Sequence, residues 1–88
     1  MEFRWNAANE QHIANHNISP EEAEYVVNRS SSPYPTYEGD GKFLVRGQTG
    51  SGAYLQVIYI FDPKDVAYVI HARPLTDREK RNLRKRRR

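Results

Sequence analysis

The 88-residue chain carries 14 Lys and Arg against 11 Asp and Glu, a formal charge of +3, and has no cysteine. The charge is unevenly placed: residues 77–88 hold eight basic and two acidic residues (net +6), and residues 1–76 hold six basic and nine acidic ones (net −3). This excludes a domain that coats nucleic acid with its whole surface, a disulfide framework and any Cys-based zinc site.

The length predicts one small domain, set here at residues 1–80, followed by a basic tail at 81–88. No apolar run approaches the ~20 residues of a membrane helix, and Met1–Trp5 lacks the apolar stretch of a secretory leader. A cytoplasmic protein with no membrane role is expected.

In chain order, Phe3 and Trp5 alternate as in a short extended segment, and Asn6 then caps a helix over residues 7–16. Asn9, His12, Ile13 and His16 share one face of it, and Asn17 suits a left-handed stop. Ser19-Pro20-Glu21-Glu22 opens a second helix with a capping box and Pro in the first turn, buried through Ala23, Val26 and Val27. Residues 30–41 are rich in turn formers and leave room for a short edge strand near Tyr34–Tyr37. Alternation then marks strands at 42–47, 53–61 and 66–73, joined by turns at 48–52 and 62–65. The middle one reads as apolar on both faces and hence central. Thr76-Asp77-Arg78-Glu79 repeats the capping box and opens a last helix that dissolves into Arg84–Arg88. The fold class expected is α+β: two N-terminal helices, a three- to four-stranded antiparallel sheet and a C-terminal helix.

Few constellations carry chemistry. His12 and His16 have the i, i+4 spacing of a two-His metal site, with His71 or a carboxylate needed as third ligand. However, Ile13 follows His12 where a zinc protease has its acid, so the residues read as packing and no metal is assigned. The glycine segments at 39–41 and 47–52 open no helix, and they read as hairpin turns rather than phosphate cradles. On the strand at 66–73, a period of two places Val69, His71 and Arg73 on one face and Tyr68, Ile70 and Ala72 on the other. Arg46 interrupts the apolar run at 43–45 in the same way.

If the strands bring Arg46, His71 and Arg73 together, the arginines can hold a phosphodiester and His71 can move protons, with no cofactor. The alternative is that the arginines pair with Glu22, Asp77 or Glu79, and His71 caps the sheet edge. Lys80, Arg81, Arg84 and Lys85 would attract RNA phosphates without sequence choice. Tyr34, Tyr37, Tyr54, Tyr59 and Tyr68 are either base-stacking platforms or core.

Phe3-x-Trp5-Asn6, Asn9, His12-Ile13, His16-x-Ile18 and Pro20-Glu21-Glu22-Ala23 resemble the opening of BrnT-type toxins, the ribonuclease halves of bacterial type II toxin–antitoxin pairs. Phe43-Leu44-Val45-x-Gly47-Gln48-Thr49 resembles their first long strand. Val69-Ile70-x-Ala72-Arg73-x-Leu75-Thr76-x-x-Glu79-Lys80 resembles their closing strand and the helix start beyond it. The resemblance implies a RelE-like fold, metal-independent cleavage of an RNA substrate that arrests growth, and neutralisation by a BrnA-like antitoxin. By position, Arg73 matches the family's sheet arginine and Arg46 a basic position before the glycine. His71 stands where many relatives carry a small hydroxyl residue, so its role rests on chemistry. A non-catalytic module that holds RNA or a partner with the same fold and the basic tail is the competing expectation.

Overall fold

Among the described residues, each of the three helices starts where a side chain closes on the backbone. Asn6 accepts from the Asn9 amide at 3.1 Å while Asn9 accepts from the Asn6 amide at 2.8 Å. Ser19 and Glu22 form the same reciprocal pair, as do Thr76 and Glu79. Each pair satisfies two amides that a helix start leaves without partners, and losing such a cap costs about 1 kcal/mol.

The computed structural model describes residues 1–86, ordered as β1 (Phe3–Arg4), α1 (Ala7–Ala14), α2 (Pro20–Asn28), β2 (Thr36–Tyr37), β3 (Phe43–Gln48), β4 (Tyr54–Phe61), β5 (Ala67–Pro74) and α3 (Asp77–Arg86). Helix α1 stops before His16 because Asn17 turns left-handed at φ 59°. The Ile18 amide then bonds back to Ile13 and the Asn17 amide to Ala14, a Schellman closure sealed by buried Ile13 and Ile18. The basic segment assigned from residue 81 continues as α3 through Arg86, while Arg87 and Arg88 lie outside the described residues. No helix among the described residues is long and apolar enough to cross a membrane.

The α+β class holds, but the sheet differs from the antiparallel meander of three or four strands. Among the described residues it has five strands in the order β1-β5-β4-β3-β2, and β1 runs parallel to β5. The opening residues supply this fifth strand: Phe3 and Arg4 lie beside Ala67 and Tyr68, and the Ala67 amide bonds to the Glu2 carbonyl at 2.9 Å. The alternation of Phe3 and Trp5 marks the segment as extended, but two paired residues carry no sign of which strand they join or in which direction.

Helices α1 and α2 bury one face of the sheet. Ile13, Ile18, Ala23, Val26 and Val27 pack on Val45, Leu55, Val57, Tyr59, Ala67, Val69 and Ala72. Gly47 lets α2 approach closely, since a Cβ there would lie 3.3 Å from Val26 Cγ1.

Val69 and Ala72 are both fully buried in this core although they lie three positions apart, an odd offset that strict alternation would place on opposite faces. A β-bulge causes it. Tyr59 pairs with Val69 and Ile58 with His71, so Ile70 is skipped. The extra residue shifts the alternation: Val69 lies in the core while Arg73 sits in the Gln56 row on the other face, so the expected grouping of Val69 with Arg73 is incorrect.

Candidate nucleic-acid interface

The pairing that buries Val45, Val57 and Ala72 sets the next row, Arg46–Gln56–Arg73, on the opposite face. Helix α3 lies over that row through Glu79. Arg46 donates from Nε to Gln56 Oε1 at 3.0 Å and from Nη2 to Glu79 Oε2 at 3.0 Å. Arg73 donates from Nη1 to Glu79 Oε1 (2.8 Å) and the Pro74 carbonyl (3.0 Å), and from Nη2 to Glu79 Oε2 (2.9 Å) and Gln56 Oε1 (3.3 Å).

Counting donors separates the two arginines. All four Nη hydrogens of Arg73 have protein acceptors, so this guanidinium acts as a clamp between sheet and helix. Arg46 uses one Nη2 hydrogen and Nε, and among the described residues its Nη1 has no acceptor. Glu79 accepts four bonds, two on each oxygen, the fourth from the Thr76 amide. Hydrogen bonds from Arg73 and Thr76, with the charges of Arg73 and Arg46, hold its carboxyl down to about 2. Glu79 is thus an ionised hub with no lone pair to spare, and it is unsuited to proton transfer near neutrality. Two arginines against one carboxylate leave the row at +1.

His71 goes elsewhere. Its ring centroid lies 6.0 Å from that of His12, on α1, and 6.2 Å from that of His16, in the turn that follows α1, both of them exposed. Burial pushes the imidazole below its usual value, and the charges of Arg73, His12 and His16 push it further. It is therefore neutral near pH 7, as a proton acceptor should be. Among the described residues no group of three histidine or carboxylate side chains is arranged to hold a metal ion.

His71 lies two strands and two residues from Arg46 in register, about 12 Å by strand spacing and rise. Arg46 is held toward Gln56 and Glu79, and the His71 ring lies against His12 and His16, so the two side chains do not converge. The expected three-residue patch is instead two places, linked by the charge of Arg73, which reaches His71.

Two cavities of about 310 Å³ flank Arg46. One lies toward α2, walled by Tyr25, Arg29, Gly47 and Thr49. The other lies under α3, walled by Tyr34, Glu79, Asn82 and Lys85. Of the remaining α3 cations, Lys80 approaches Asp77 at 3.9 Å, Arg84 sits 5.9 Å above the Tyr54 ring, and Arg81 is exposed. Among the tyrosines, Tyr59 is core, Tyr37 packs on Phe43, and Tyr68 bonds to Asn6 beneath the Arg4 guanidinium.

Gln56 is the residue that sequence reasoning passed over. A glutamine inside an otherwise apolar central strand was the available signal, because such a buried polar group needs partners. No protein-family model matches the chain, and no curated protein and no solved structure matches it either.

Proposed function

We propose that this chain is a ribonuclease toxin of the BrnT-like, RelE-like kind, binding RNA at Arg46 and along the cationic α3 and cleaving it beside His71. The observation that carries the reading is Arg46: its guanidinium is fixed by Gln56 and Glu79, yet keeps Nη1 hydrogens for an anion. Such a prebuilt donor binds phosphate without the entropy loss of ordering a loose side chain. In the cleaving step the 2′-oxygen bonds to phosphorus as the P–O5′ bond breaks. His71 takes the 2′-hydroxyl proton, and the 5′-oxygen is protonated from solvent. The products are a 2′,3′-cyclic phosphate and a 5′-hydroxyl. In a cell this reading calls for a BrnA-like antitoxin as partner.

The test is induced expression with a growth curve, beside purified protein on labelled RNA, for wild type, Arg46→Ala and His71→Ala. Wild type should arrest growth and yield cyclic-phosphate ends. Removal of His71 should abolish cleavage but keep binding. RNA left intact by wild-type protein would end the enzyme reading.

A second reading, an RNA-binding module without cleavage, is favoured by one observation: Glu79 takes up Arg73 so fully that no Nη donor is left for a transition state. It predicts salt-sensitive binding, no cleavage products and no effect of His71→Ala.

A further inference from the structure

We infer that the two cavities flanking Arg46 are successive nucleobase subsites of one groove, which selects single-stranded over duplex RNA. The inference rests on the RNA-binding reading above, and it specifies the form of RNA and its path.

The groove exists because β2 is short. It pairs only with Phe43 and Leu44, so the edge of β3 beyond Leu44 has no strand partner among the described residues. Residues of this stretch line both cavities: Arg46, Gly47 and Gln48 the first, and Arg46 the second. The order is therefore cavity, guanidinium, cavity, matching the base, phosphate, base order of a dinucleotide step. Each cavity has an aromatic ring in its wall: Tyr25, with the Arg29 guanidinium 4.6 Å from its centroid, on one side, and Tyr34 on the other. A base entering the first can stack on the planar Arg29 or take its place on the ring, and one entering the second can lie against Tyr34.

Electrostatics agree. Arg29, Arg46 and Lys85 line the groove, and among the described residues the sole acid in the two walls, Glu79, is already saturated by arginines and the Thr76 amide. Duplex RNA cannot use the site: its bases are paired, and its phosphates alone would meet Arg46. The bases must be splayed to either side of the guanidinium.

The experiment is fluorescence anisotropy with a labelled 2′-O-methyl hexanucleotide, which binds but has no attacking 2′-hydroxyl, beside a blunt duplex of the same length. Arg29→Ala and Tyr34→Leu should each weaken the single strand by about tenfold, the range for losing one stacked base, and leave duplex binding unchanged. Tyr34→Phe should bind as wild type. Because Tyr34 also packs against the core, each variant is melted first, and the exposed Arg29 supplies the arm that cannot fail by unfolding. Wild-type affinity in both Arg29→Ala and Tyr34→Leu, or equal affinity for duplex and single strand, overturns the groove while leaving RNA binding at Arg46 intact. Absence of any binding overturns the groove together with the reading it rests on.

Discussion

Glu79→Gln tests whether an ionised hub holds α3 to the sheet. Glutamine keeps the shape and an oxygen for the Thr76 amide, so the cap survives and the charge is removed. The carboxyl is held at about 2 instead of 4.5, which at 1.36 kcal/mol per unit is about 3 kcal/mol. Water reaches the partners, since the Arg46 and Arg73 side chains are 28% and 29% exposed. Screening therefore brings the expected cost to about 1–2 kcal/mol. For a domain of this size that lowers Tm by roughly 5–15 °C. The sign follows from linkage: a depressed carboxyl pKa stabilises fully above 4.5, and the stabilisation is lost as pH falls to about 2. Thermal melts of wild type and Glu79→Gln should thus differ most near pH 7 and converge near pH 2. A Tm gap of equal size at both pH values, or none at neutral pH, would refute the hub.

Arg73→Ala should lower Tm by several degrees because it strips partners from Glu79, Gln56 and the Pro74 carbonyl, whereas Arg46→Ala should mainly weaken RNA binding, by about tenfold; melts and anisotropy on both variants read the difference. Cleavage should fall as pH drops through a value below 6.5, since protonated His71 cannot accept a proton, and replacing both His12 and His16 with Asn should move that inflection upward by removing positive neighbours; a pH–rate profile checks both shifts. Replacing Lys80, Arg81, Arg84 and Lys85 with Gln should flatten the plot of log affinity against log salt by up to about 3 for single-stranded RNA.

The helix starts were legible in the sequence because capping is local: Asn6, Ser19 and Thr76 each act within three residues. Strands β3 and β4 were legible from alternation. What was not legible depends on pairing between distant segments. The parallel partner of β5 comes from two residues at the start of the chain, which carry no sign of the strand they join. The bulge at Ile70 is invisible in β5 itself, because it is defined by the count of residues on β4 opposite. That single extra residue decided the site: without it, Val69 would share a face with Arg73, and a valine now fully buried would lie outside the core. Arg46 and Arg73 could be placed near each other from strand order alone, but not ranked, since the ranking depends on Gln56 and Glu79 reaching them.

The charge split of the chain acquires a mechanical meaning from that ranking. Six of the eight basic residues after position 76 lie within α3, and the helix is tied to the sheet through the bonds of Glu79 to Arg73 and Arg46. A free cationic tail would attract phosphate everywhere it swings; cations on a tethered helix attract it along one line. Arg84 over Tyr54 and Lys85 in the wall of the second cavity place that line beside Arg46. Arg73 then matters because it keeps α3 in register with the groove, without itself touching RNA. Its loss should weaken binding less than that of Arg46 in low salt, where attraction is long-ranged, and more nearly as much in high salt, where only fixed short-range contacts survive.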